Sequence, residues 1–113
     1  MKARIAAVAL TSLFCGTVNA QPMAYGVGTQ GCGKYVAATD QAKRGDSQAV
    51  YQYLAWMAGF VSHASLLDGV EYFGGLDTDS VQLWLENYCR AHPLEPFSTS
   101  VMHLMLELSK KQF

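Results

Sequence analysis

The 113-residue sequence lacks the features that mark several large classes of protein. A chain of this length holds one small domain, which excludes a two-domain nucleotide-binding enzyme and a large barrel. The net charge is only −1, and the absence of a basic excess argues against a nucleic-acid-binding surface. No alternating strand pattern, internal repeat or low-complexity segment occurs, so nothing in the sequence indicates a sheet.

Long hydrophobic runs are also scarce. The main one, over residues 5–13, is too short to span a bilayer. It follows two basic residues and precedes Val18-Asn19-Ala20, which is the order of a cleavable secretory signal. We therefore predict a signal peptide over residues 1–20, no stable membrane anchor after cleavage, and a periplasmic or secreted bacterial protein.

Cysteine is rare, and its number is informative. Cleavage leaves Cys32 and Cys89, together with six basic and nine acidic residues and a net charge of −3. An even pair in a small exported domain predicts one disulfide, worth about 4 kcal/mol in the chain-entropy model. A metal half-site at Cys89 and His92 is the alternative, but no second Cys/His pair accompanies it.

The predicted domain is all-α and covers residues 32–113, after a flexible lead-in over residues 21–31. The lead-in contains Gly26-x-Gly28-x-x-Gly31, but no strand precedes this pattern, so a dinucleotide site is not expected. The whole forms a small bundle of three main helices plus a short N-terminal helix, stapled by one disulfide.

Hydrophobic spacing places the helices. A short first helix is expected over residues 33–42. A long helix over residues 47–67 has apolar side chains at helical spacing, and Gly59 within it predicts a close helix crossing. Asp77-Thr78-Asp79-Ser80 offers several N-caps for a third helix, which ends near His92, before Pro93. The last helix follows Pro96, and its apolar positions are Phe97, Val101, Leu104, Met105 and Leu108.

A glycine-framed loop over residues 68–76 carries the large side chains Tyr72 and Phe73. Two interpretations remain open: the loop folds back as a lid on the core, or it exposes an aromatic anchor for a partner. Asp68, Glu71 and Asp77 would form an acidic rim around such an anchor.

Residues capable of catalysis are few and scattered. His63, His92 and His103 have no partners at metal-ligand spacing, and no nucleophile elbow is present. Structural or surface roles are predicted for all three. We expect no catalytic activity, no cofactor and no bound metal.

Three segments together resemble a known group of proteins: Cys32-Gly33-Lys34-Tyr35, Trp56-x-x-Gly59-Phe60-Val61-Ser62 and Trp84-Leu85-x-x-Tyr88-Cys89-x-x-x-Pro93-Leu94. The pattern is similar to small exported helical proteins that include the type VI secretion amidase-immunity proteins of the Tai kind. Its two-cysteine layout is also similar to that of the Hde-type periplasmic acid-stress chaperones.

The resemblance implies packing roles for Trp56, Trp84 and Tyr88, and it implies a partner-binding loop at residues 68–77. It leaves three functions open: a non-enzymatic immunity protein that neutralises a secreted peptidoglycan amidase, an acid-activated holdase, and an envelope protein with another partner. A homodimer is also conceivable, because the apolar coverage of the 47–67 helix exceeds what one chain needs.

Overall fold

A computed structural model describes Gly16 and residues 24–111, and the described residues form four α-helices after a short 3₁₀ helix. The predicted all-α fold with one disulfide is confirmed. The predicted signal peptide lies outside the described residues, Gly16 excepted. The 3₁₀ helix and the helices α1 to α4 have the bounds Gly26–Thr29, Cys32–Lys43, Gln48–Asp68, Thr78–Ala91 and Phe97–Lys110.

The two ends of α2 have clear local causes. The Asp46 carboxylate accepts a hydrogen bond from the backbone N–H of Gln48 at 3.2 Å, which satisfies a donor in the first turn. Gly69 ends the helix in the left-handed conformation, with φ +65°, and donates its backbone N–H to the Ser65 carbonyl. Glycine adopts this conformation without the steric cost that a Cβ would bring.

The core is centred on an aromatic cluster between α1, α2 and α4. Tyr35 lies 4.6 Å from Phe97 and 5.3 Å from Tyr53 between ring centroids. Such pairs add about 0.5–1.5 kcal/mol each beyond the burial of their area. The largest side chains that are fully buried are Tyr35, Phe97, Leu85, Val101, Cys32 and Cys89.

A covalent and hydrogen-bonded clamp joins the start of α1 to the turn between α3 and α4. Cys32 and Cys89 form the predicted disulfide, with their Cα atoms 4.7 Å apart. Beside it, the backbone N–H of Cys32 donates to the Glu95 carbonyl at 2.7 Å, and that of Gly33 donates to the Pro93 carbonyl at 3.0 Å. The disulfide and the two hydrogen bonds therefore hold the first turn of α1 against the end of α3 and the turn that follows it.

A cluster of charges also links α1 to α3. The Glu86 carboxylate accepts from Lys43 at 2.5 Å and from Arg90 at 2.9 Å. Arg90 also reaches Asp40 on α1 at 2.7 Å. The donated hydrogen bonds, that of Lys43 foremost, hold the pKa of Glu86 below its usual range.

The segment before Cys32 differs from the expected flexible lead-in. From Ala24 onward it lies against α2, because the indole N–H of Trp56 donates to the Tyr25 carbonyl at 2.7 Å. Gly28 is buried under the Trp56 ring, and a Cβ on Gly28 would overlap the ring atoms. The described part of this segment, from Ala24 to Gly31, therefore packs against the helices.

The prediction that another helix of the chain crosses α2 closely at Gly59 is wrong for the described residues. Gly59 is exposed, and a Cβ built on it would meet no atom of the described residues within 4 Å. The inner face of α2 is formed instead by Val50, Tyr53, Met57 and Val61. The close approach occurs instead between the backbone of Gly28 and the Trp56 ring. The segment around Gly28 has no hydrophobic periodicity from which this contact could be predicted.

Candidate binding surface

The turn over residues 69–77 joins α2 to α3 at the end of α3 that lies away from the disulfide. Its shape is set locally, since Gly75 has φ +77° and the backbone N–H of Leu76 donates to the Phe73 carbonyl at 3.1 Å. A turn held by its own hydrogen bonds loses little conformational freedom when it meets a partner.

The two aromatic side chains of this turn are half-buried and pack against the core. The Tyr72 hydroxyl donates to the Asp68 carboxylate at 2.7 Å, and this hydrogen bond raises the pKa of Tyr72. Of the two interpretations left open by the sequence, the geometry favours the lid, because neither ring extends freely into solvent.

Asp77 has a structural use that limits its availability to a partner. Its carboxylate accepts from the backbone N–H of Ser80 at 2.7 Å and from the Ser80 hydroxyl at 2.8 Å. Asp77 is thus the N-cap of α3, one of the several candidates that the sequence offers over residues 77–80, and the two hydrogen bonds lower the pKa of Asp77. Asp79 lies in the first turn of the same helix, where a negative charge suits the helix dipole.

An open groove of about 400 Å³ runs between the end of α2 and the turn. Leu66 and Phe73 form apolar parts of its wall, and Leu66 is 84% exposed. Leu76, at the end of the turn, is 42% exposed. Neither leucine was among the predicted partner-binding residues, although the absence of charged residues from Gln48 to Leu67 could have revealed Leu66.

The segment that forms the groove and the turn carries acidic residues but no basic ones. Between Arg44 and Arg90 the sequence contains no lysine or arginine, whereas the turn and its flanks carry four carboxylates. They belong to Asp68, Glu71, Asp77 and Asp79. The turn, the groove and the start of α3 together form an acidic surface with apolar side chains inside it, which we call the turn surface.

A second feature is a column of stacked rings between α3 and α4. Trp84 stacks on Tyr88 with 5.4 Å between ring centroids, and Tyr88 also stacks with His92 and His103. Trp84 donates its indole N–H to Glu107 at 3.0 Å, and Tyr88 donates its hydroxyl to Glu95 at 2.6 Å. Burial and then the Glu95 hydrogen bond raise the pKa of Tyr88 to about 12.

The column fits a packing role for Trp84 and Tyr88. The indole N–H of Trp84 and the hydroxyl of Tyr88 each donate to a carboxylate of the same chain. The adjoining cleft has a volume of about 570 Å³. The two histidines that lie here are 11 residues apart in the sequence but contact the same ring. His63 is exposed on α2.

No helix among the described residues is both long enough and apolar enough to cross a membrane. In the same part of the chain, no group of three or more His, Cys, Asp or Glu side chains is arranged to hold a metal ion. Comparisons of the chain with protein-family models, with curated proteins and with solved structures gave no match.

Proposed function

We propose that this chain is an exported, non-enzymatic binding protein of the immunity type, which neutralises a secreted peptidoglycan amidase through its turn surface. The observation that carries the proposal is the combination of exposed leucines, an open groove and an unbroken acidic rim at one end of the domain. Apolar anchors inside a charged rim are typical of protein-binding sites.

The charge of the turn surface specifies the partner further. Four carboxylates in a segment that contains no lysine or arginine favour a partner whose contact surface is basic. Such charges mainly raise the association rate and the specificity, whereas apolar side chains such as Leu76 and Phe73 supply the affinity. We therefore expect binding that weakens with added salt but does not vanish.

The decisive experiment pairs this chain with the amidase effector expected to be encoded beside its gene. Both proteins are directed to the periplasm of a sensitive host, and survival is measured. With purified proteins, the loss of turbidity of a peptidoglycan suspension is followed. We expect this chain to restore survival and to inhibit the hydrolysis. A neighbouring amidase whose activity this chain leaves unchanged would contradict the proposal.

Two matched variants locate the contact. Leu76→Lys changes the turn surface, whereas Leu94→Lys makes the same change at a 97% exposed leucine in the turn between α3 and α4. If Leu76 is an anchor, its replacement weakens binding by about 2 kcal/mol, or about 30-fold. Leu94→Lys should bind as the parent does. Equal affinities for both variants would exclude the turn surface.

One observation favours a second function, that of an acid-activated holdase. The cap of α3 and the charge cluster that joins α3 to α1 both depend on carboxylates with lowered pKa values, Asp77 and Glu86. Their protonation removes these contacts while the disulfide still holds Cys89. Acid would then loosen α3 and uncover its apolar face without fully unfolding the chain.

Light scattering of an acid-sensitive client, at about pH 2.5 and at pH 7, tests the second function, since the lower pH lies below ordinary carboxylate pKa values. A holdase suppresses aggregation only in acid. The Asp77→Ala/Glu86→Gln double variant, which removes the cap and one charge of the cluster, should then protect the client at a higher pH than the parent. A chain that stays folded at about pH 2.5 and protects nothing is not a holdase.

A further inference from the structure

The cleft beside the column of stacked rings combines aromatic and charged side chains. Two helices line it, α3 with Trp84 and Tyr88, and α4 with His103, Leu106, Glu107 and Lys110. The four residues of α4 recur at helical spacing, so they share one side of that helix. The volume of about 570 Å³ lies within the range of roughly 300–1,000 Å³ that is typical of small-molecule sites.

The aromatic side chains of the cleft are held in place by contacts within the chain. The Tyr88 ring stacks with those of Trp84 and His103, and the Tyr88 hydroxyl is donated to Glu95. The indole N–H of Trp84 is donated to one oxygen of the Glu107 carboxylate. These rings therefore lose little conformational freedom when a ligand binds, and Trp84 and Tyr88 offer it apolar ring surface.

The polar groups of the cleft keep most of their hydrogen-bonding capacity. The second oxygen of Glu107, the Lys110 ammonium and the ring nitrogens of His103 make no hydrogen bond or ion pair with other described residues. All three side chains belong to exposed residues. Together they can accept hydrogen bonds from hydroxyl groups and donate to them. Because Glu107 and Lys110 have opposite charges, the pair favours neither an anion nor a cation.

Peptides and phosphorylated ligands are recognised by features that this cleft lacks. An extended peptide adds to the edge of a sheet, but the described residues form no strand. An amphipathic helix docks in an apolar groove, whereas charged side chains line this cleft. Phosphate groups are bound by clusters of arginine, and Lys110 is the one lysine or arginine among the described residues that line the cleft. The remaining small ligands are uncharged and rich in hydroxyl groups.

We propose that this cleft binds the pyranose rings of an oligosaccharide. A pyranose has apolar C–H groups on its faces and hydroxyl groups around its edge, which are the two kinds of surface that this cleft can match. Trp84 and Tyr88 contact the C–H groups, while the hydroxyl groups donate to Glu107 and accept from Lys110. Because the site is open, we expect a dissociation constant of about 0.1–1 mM. The cleft shares no residue with the turn surface, so this proposal does not rest on the proposed function.

The indole N–H signals of the two tryptophans in NMR spectra of the isotope-labelled protein report binding. Trp84 lines the cleft, whereas Trp56 lies under the N-terminal segment and serves as an internal reference. The protein is titrated separately with tri-N-acetylchitotriose and with maltotriose, each to about 10 mM, which distinguishes acetamido sugars from glucose polymers. We expect at least one sugar to shift the Trp84 signal to saturation without moving that of Trp56. Trialanine, which has an ammonium and a carboxylate but no sugar ring, should shift neither.

Lys110→Met and Lys111→Met are matched variants, because both lysines are exposed at the end of α4 and Lys111 does not line the cleft. Lys110→Met should bind the sugar about 10-fold more weakly, because a hydrogen bond from a charged donor is lost. Lys111→Met should bind as the parent does, and both should melt at the parent's temperature. The proposal is overturned if neither sugar shifts the Trp84 signal, if trialanine shifts it as strongly, or if the two variants bind equally well. No effector is present, so none of these results bears on the proposed immunity function.

Discussion

Replacing Gly28 with alanine should separate the N-terminal segment from the core. A Cβ at this position would overlap the Trp56 ring, which is rigid and cannot yield as a flexible side chain would. Trp56 is itself held, because it stacks on Phe60 with 5.0 Å between ring centroids and contacts Phe97. The 3₁₀ helix must therefore move away from α2 and give up the hydrogen bond from Trp56 to the Tyr25 carbonyl.

The size of the effect follows from two losses. Forcing an extra methyl group into a packed site costs about 1–3 kcal/mol, and a lost hydrogen bond costs about 0.5–1.5 kcal/mol. Because moving the 3₁₀ helix relieves part of the overlap, we expect the free energy of unfolding to fall by about 2–3 kcal/mol. For a domain of this size, that corresponds to a melting temperature about 10 °C lower or more.

Urea unfolding at pH 7 measures this change, and tryptophan fluorescence locates it. The sequence has two tryptophans, so a Trp84→Phe background leaves Trp56 as the sole reporter. Its emission should shift to longer wavelength as the covering segment leaves. Gly59→Ala, at low protein concentration, is the control and should be about 1 kcal/mol more stable than the parent. The reasoning fails if Gly28→Ala unfolds within about 0.5 kcal/mol of the parent with unchanged emission.

Two further substitutions test buried and charged groups. The Tyr35 hydroxyl is buried without a hydrogen-bond partner among the described residues, so Tyr35→Phe should raise the free energy of unfolding by about 1 kcal/mol; an equal loss in urea unfolding would contradict this. Glu86→Gln should cost about 1 kcal/mol at pH 7, because the Glu86 carboxylate is held by two cations. Since its pKa is lowered in the folded state, this stability is present above the unfolded-state pKa and disappears as the pH falls through the folded-state pKa. The difference from the parent should therefore vanish in unfolding curves near pH 2, and a difference that persists there would have another origin.

The local features of this fold were predictable, and the long-range contacts were not. Apolar spacing located α2 and α4, and the side-chain chemistry of Asp77 located the start of α3. The same spacing identifies which side of α2 is inward, but it cannot identify what covers that side. For this reason the close approach was expected at Gly59 and occurs at Gly28, within a segment that has no period.

The candidate site likewise has local features that the sequence predicts and long-range contacts that it does not. Its boundaries follow from the glycines of the turn, and its acidic rim is visible in the sequence. The half-burial of Tyr72 and Phe73 cannot be predicted from the sequence, because it depends on how the turn folds against α2 after the helices have packed. The exposure of Leu66 likewise results from the absence of a neighbouring element in the described residues on that side of the helix.

The disulfide divides the chain into a closed ring and the two segments on either side of it. The ring runs from Cys32 to Cys89 and contains α1, α2 and nearly all of α3, whereas α4 lies outside it. α4 nevertheless supplies Phe97 and Val101 to the centre of the core. Its first residue is pinned near the ring, because the backbone N–H of Phe97 donates to the Gln30 carbonyl at 2.8 Å.

α4 can therefore detach from Lys110 toward Phe97 without breaking a covalent bond, while the ring keeps its topology. Amide protection along α4 should then fall steadily from Phe97 toward Lys110, and the ring should exchange its amides only on global opening. A domain built in this way returns to its fold by redocking one helix, because the long-range search that pairs α1 with α3 was completed when the disulfide formed.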